Sequence, residues 1–225
     1  FETRVNDHRV GYFVNKSTDL TSYDNFPNFA LINKWRLIKK DPNAEMSEPE
    51  EPIVFWVENT TPEEIIPAVV AGIENWNLAF EEAGFINAVV AKIQPKDAEW
   101  DAADYDYNVV RWSSEPDGNL LGIGPSVSNP LTGEIISADV VNKLLAVKVG
   151  YNYRKLYGYT EDNDPLMQYI TNLTLHEVGH VLGLRHNFRG SYLYSPAEIH
   201  NKDITGKTLM SSVMDYDPIN VAPEG

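Results

Sequence analysis

Eleven residues constrain this chain more than all the others: His176-Glu177-Val178-Gly179-His180-Val181-Leu182-Gly183-Leu184-Arg185-His186. The pattern is H-E-x-x-H-x-x-G-x-x-H. Two histidines four apart share one face of a helix, so both imidazoles can reach a single ion. Gly183 can take a positive φ, end the helix and turn the chain, which brings His186 back as third ligand. Three protein ligands leave the fourth position of a tetrahedral zinc to water, the arrangement of catalytic sites. Glu177 follows the first ligand and can reach that water without binding the metal, which suits a general base. H-E-x-x-H alone also describes a surface helix with solvated histidines. Three of the five histidines in the chain fall in this one stretch, which weighs against that reading. His8 and His200 read as solvated surface residues.

A second motif lies downstream, Ser211-Ser212-Val213-Met214-Asp215-Tyr216. With it, the chain resembles the metzincin metallopeptidases over roughly residues 52–217, and more narrowly a group of large bacterial zinc-dependent metalloproteases. The resemblance makes Met214 the methionine of a Met-turn beneath the metal site. It gives Tyr216 a contact with the zinc or the reacting oxyanion. It implies a fold of α+β class: a twisted mixed β-sheet with a backing helix and a buried active-site helix, then a loop-rich lower subdomain. It also implies an edge strand beside the metal that binds extended substrate by adding it to the sheet. That role falls on Gly122, Ile123 and Gly124, where glycine would let a peptide backbone approach closely. A purely structural hairpin is the alternative there.

The rest of the chain fits one domain with an arm. Residues 1–51 form an N-terminal arm and acidic linker, with strands expected at Arg9–Val14 and Asn33–Ile38 and an exposed, proline-rich stretch at 41–52. The arm either packs on the catalytic domain or belongs to what precedes it. Residues 52–225 form the catalytic domain, divided into an upper part (52–186) and a lower part (187–225) that is expected to be cut short. Ile53–Val57, Ala88–Ile93 and Asn108–Trp112 read as strands. Thr61 reads as the N-cap of one long helix with Ile66, Val69, Val70, Ile73, Trp76 and Phe80 on its apolar face, a kink or restart at Pro67, and an end at Gly84. Residues 120–128 and 134–141 form a hairpin in which Pro125 marks an edge strand. Tyr151–Asp164 reads as a polar crossover. Asp164 and Pro165 then open the active-site helix as N-cap and first residue. Gly190, Pro196 and Gly206 punctuate the loop-rich segment after His186.

Composition narrows the partners. A net charge of −15 disfavours nucleic acid and anionic membrane surfaces. No apolar run approaches a membrane span. With no cysteine, the chain has neither a disulfide framework nor a cysteine-based latency switch. Two acidic clusters, Asp97/Glu99/Asp101/Asp104/Asp106 and Glu161/Asp162/Asp164, suggest calcium, but the first fits no EF-hand spacing and reads as a solvated loop, and Asp164 of the second reads as a helix N-cap, which leaves calcium unsupported. The chain starts at Phe1 and is expected to be part of a larger multidomain polypeptide. By resemblance it works outside the cytoplasm, secreted, periplasmic or at the cell surface.

These readings converge on a zinc-dependent endopeptidase with Glu177 as general base. The alternative is a catalytically silent module of the same fold that holds peptide or glycan in its cleft. A structural zinc site is disfavoured because no cysteine stands ready to close the fourth position. A site with a downstream glutamate as third ligand is disfavoured by the placing of Gly183 and His186.

Overall fold

The computed structural model describes residues 1–24, 28–115, 120–160, 163–205 and 208–216. Glu161, Asp162, Gly206 and the C-terminal residues from 217 onward lie outside these. The architecture is α+β, with a twisted mixed sheet and helices. The arm carries β1 (Val14–Thr18) and β2 (Asn28–Ile32), and the central sheet is built from β3 (Ile53–Val57), β4 (Val89–Ile93), β5 (Asn108–Ser113), β6 (Gly122–Ile123), β7 (Ser126–Ser128) and β8 (Ile135–Lys143). Its order is β4–β3–β5–β8–β6, with β7 also paired to β8. β3, β4, β5 and β8 are parallel, whereas β6 and β7 run antiparallel to β8. Among the described residues β6 therefore forms an edge. Pro125, which has no N–H to donate, sits where this edge strand is interrupted.

Alternation along β3 directs Ile53, Phe55 and Val57 to the core and Val54 and Trp56 to the opposite face. On that opposite face Trp56 meets Trp100 and Tyr107, whose rings stack at 3.9 Å. The acidic loop before β5 thus covers the sheet through its aromatic residues. The α-helices among the described residues are α1 (Ile66–Glu74), α2 (Asn77–Glu82), α3 (Leu144–Tyr157), α4 (Pro165–Val181) and α5 (Lys202–Thr205). α1 and α3 both pack on α4. Ile65, Val69, Ile73, Leu166, Ile170, Val178 and Val181 join the buried face of β3 in one core. Among the described residues no helix is long and apolar enough to cross a membrane.

Three expectations need correction. Residues 61–84 are not one helix: Thr61 is not its cap, a 3-10 turn at Glu63–Ile65 precedes α1, and the chain breaks at Asn75–Trp76 before α2. Pro67 occupies the first turn of α1, where its missing N–H costs nothing. The crossover is largely α3, which runs through Tyr157 and has no side-chain cap at its start. In the arm the strands are β1 (Val14–Thr18) and β2 (Asn28–Ile32), which pair antiparallel, rather than the expected Arg9–Val14 and Asn33–Ile38. The acidic stretch is mostly exposed, as expected, and it is also tied to neighbouring segments. Ser47 N–H donates to Gly84 O, Ile86 N–H donates to Ser47 O, and the Lys39 ammonium donates to the carbonyls of Ala44 and Glu45.

Candidate metal centre

α4 supplies most of the site. Asp164 caps it by accepting from Leu166 N–H, with Pro165 as first residue. Arg154 of α3 fastens this end, bonding both Asp164 oxygens and reaching Glu64 at 2.8 Å. The helix is buried on several sides, through Leu166, Ile170, Val178 and Val181, which fixes its rotation and so the direction of the histidines. At its other end Gly183 has φ 102°. Gly183 N–H donates to His180 O and Leu184 N–H to Gly179 O, a Schellman closure that turns the chain toward His186.

The structure brings His176, His180 and His186 together, each with a ring nitrogen within 4.8 Å of the others. Among the described residues no carboxylate joins them, and no other group of this kind forms. Of the acidic residues considered for calcium, Asp101 and Asp104 accept from nearby backbone N–H groups, and Asp164 is the helix cap. His8 and His200 are exposed, away from the cluster.

The donor set suits a metal. His176 Nδ1 lies 2.8 Å from Val213 O, and His180 Nδ1 lies 2.9 Å from Leu184 O. A carbonyl only accepts, so both Nδ1 atoms carry hydrogen and both Nε2 atoms present lone pairs. His176 Nε2 is buried and without a hydrogen-bond partner, a costly state for a polar atom unless something else satisfies it. His180 Nε2 and His186 Nε2 are 3.2 Å apart. That is close to the ~3.3 Å separating two nitrogens bound tetrahedrally at about 2.0–2.1 Å. Burial lowers the pKa of His176 and of His186, which favours the neutral, ligating form. His176 is buried and His186 exposed, so the cluster opens to solvent on one side.

Glu177 is buried on the same turn, and burial pushes its carboxyl up to about 7. β6 lies against it. A Cβ on Gly122 would sit 3.0 Å from Glu177 Oε1, and one on Gly124 would sit 2.5 Å from Glu177 O and 3.3 Å from His180 Cβ. These glycines therefore face the helix, and close packing of strand on helix is what requires them. Ile123, between them, is partly exposed.

The segment 211–216 passes beneath. Met214 is buried, its sulfur against Gly179 beside Trp76. Tyr216 is exposed, with its ring 5.4 Å from that of His176 and 4.8 Å from that of His186. Several residues went unnoticed in the sequence. Phe188 stacks on His186 at 5.1 Å. Asp215 accepts from both the N–H and the hydroxyl of Ser191 at 2.6 Å, and Asn187 N–H donates to Met214 O, tying the chain after His186 to the turn. Burial acts to raise the Asp215 pKa, but the Ser191 and Tyr216 bonds outweigh it and the carboxyl lies below its usual range. Aspartate directly after the turn methionine was the available signal for this clasp.

No curated protein matches this chain. The mixed sheet, the buried helix and the histidine cluster agree with a metzincin-like domain. Residues 159–225, which hold the three histidines, Glu177 and the turn at Met214, match the family described as Met-zincin.

Proposed function

We propose that the protein is a zinc-dependent endopeptidase. The observation that carries this reading is the placing of Glu177: a buried carboxyl on the histidine helix, against the open edge strand β6. His176, His180 and His186 would hold zinc. When bound, zinc would supply Lewis acidity, acidifying water and polarising a carbonyl.

The chain's own residues do the rest. An extended substrate adds to the outer side of β6 at Gly122–Gly124 through backbone hydrogen bonds. Glu177 takes the proton of the attacking water and delivers it to the leaving amine. Its burial, which pushes the carboxyl up to about 7, suits a group that must accept a proton and then return it. The Tyr216 hydroxyl donates to the oxyanion that forms at the carbonyl. Met214 supports the helix from below, and Gly183 makes the turn to the third ligand. Peptide or protein is the substrate class, and a setting outside the cytoplasm belongs to the same proposal through the resemblance of the motifs.

The test is cleavage of a diverse peptide library, read by mass spectrometry, with and without a zinc chelator. Internal cleavage that stops with chelation and returns with zinc supports the reading. Binding of peptides without any cleavage would replace it with a silent binding module.

A further inference from the structure

The turn between His180 and His186 does not stand alone. Residues 183–185 run antiparallel to Gly11–Phe13 of the arm. Phe13 N–H donates to Gly183 O at 2.8 Å, Arg185 N–H donates to Gly11 O at 2.8 Å, and Tyr12 lies opposite Leu184. The arm segment is itself fixed: Asn33 N–H donates to Phe13 O at 2.8 Å, and β1 pairs with β2 from Val14 onward. The carbonyl of Asn33 fills the space a side chain at Gly183 would need. Trp35 reaches in from the same side, its indole N–H donating to Val181 O at 2.8 Å.

This scaffold touches a metal ligand in two ways. Leu184 O, whose strand Tyr12 faces, accepts the His180 Nδ1–H at 2.9 Å. The Phe13 ring lies 5.8 Å from the His180 ring, tilted by 56°. One contact sets the tautomer of His180 and the other bounds its ring plane.

We propose that Gly11–Phe13 is a positioning element of the metal centre, with Phe13 as a positioning residue for His180. This rests on the metal-ligand reading of the three histidines. The short link between the second and third ligands is otherwise irregular and would have to be ordered when the ion binds. Pairing with the arm orders it beforehand, and it holds the carbonyl that orients His180. Groups that orient metal-bound imidazoles in this way contribute strongly to metal affinity.

The experiment uses the whole chain and its Phe13→Ala, Phe13→Pro, Phe13→Tyr and Phe29→Ala variants. Phe13→Pro removes the N–H that donates to Gly183. Phe29 lies exposed on β2 of the same arm, so Phe29→Ala perturbs the arm without touching the turn. Zinc affinity is read by competition with a chromogenic chelator, geometry by the visible spectrum of the cobalt(II) form, and folding by melting of the metal-free chain. Phe13→Ala and Phe13→Pro should weaken zinc roughly 10-fold or more and shift the cobalt bands. Phe13→Tyr and Phe29→Ala should match wild type. If Phe13→Pro does not fold, Phe13→Ala decides, because it leaves the backbone pairing intact. The proposal is overturned if Phe13→Ala lowers only the melting temperature, or if Phe29→Ala weakens zinc equally. Wild type that takes up neither zinc nor cobalt would instead overturn the metal-centre reading itself.

Discussion

The sulfur of Met214 occupies the space that a Cβ on Gly179 would need, beneath the helix that carries His176 and His180. Trp76 Cζ2 closes the same space from the side, 2.8 Å from that Cβ position. Helix, turn methionine and α1–α2 junction therefore meet at a point with no slack. Gly179→Ala is expected to destabilise the fold by about 1–3 kcal/mol, because inserting a methyl into a filled core forces backbone or side chains to move. Denaturant unfolding of the metal-free chain checks it. An unchanged midpoint would mean that Met214 yields freely.

Gly122 and Gly124 make a contrasting pair. A methyl on Gly122 meets the side-chain end of Glu177, whereas one on Gly124 meets the Glu177 backbone carbonyl at 2.5 Å. Gly122→Ala should leave stability nearly unchanged and slow peptide cleavage about 10- to 100-fold by displacing the carboxylate. Gly124→Ala should cost about 1–3 kcal/mol of stability by pushing β6 off the helix. Melting curves and cleavage rates measured on both variants check this, and equal stability losses would contradict it.

The motif residues were legible because their chemistry is written in local spacing. His176, His180, Gly183 and His186 lie within one helix and one turn, and Asp164-Pro165 announces the helix start. What was hidden depends on distant partners. Nothing near Gly122 shows that α4 packs on it, since Glu177 lies far along the chain. β1 reads as Val-Asn-Lys-Ser-Thr, a polar run that becomes a strand only through pairing with β2. α3 lacks a cap, and its buried positions are small residues, Ala146, Val147 and Gly150, amid exposed lysines and tyrosines. It therefore shows no strong apolar stripe. Phe13 gave no sign of its role because its partner, His180, is recognised by an entirely separate motif.

A pH dependence follows from Asp164. The Arg154 guanidinium, helped by the Leu166 amide, holds this carboxyl below its usual range against the opposing effect of burial. A folded-state pKa below the unfolded value of about 3.9 adds stability that is complete above that value and fades as pH falls through the folded one. Asn caps a helix as well as Asp does, so Asp164→Asn isolates the charge. The variant should be less stable by on the order of 1–3 kcal/mol at pH 7. The gap should narrow as pH drops below about 4. Urea unfolding at pH 7 and pH 3 measures it, and a gap independent of pH would show that the ion pair contributes nothing through charge.

The most direct test of the central claim pairs metal content with turnover in wild type, Glu177→Ala and His180→Ala. Glu177 stands beside the histidine cluster without joining it, so the three chains should separate cleanly. Wild type should hold one zinc per chain and cleave peptides. Glu177→Ala should keep the zinc and lose several orders of magnitude in rate, while His180→Ala should lose the zinc. Undiminished cleavage by Glu177→Ala would contradict the general-base assignment, and wild type without zinc would contradict the account as a whole.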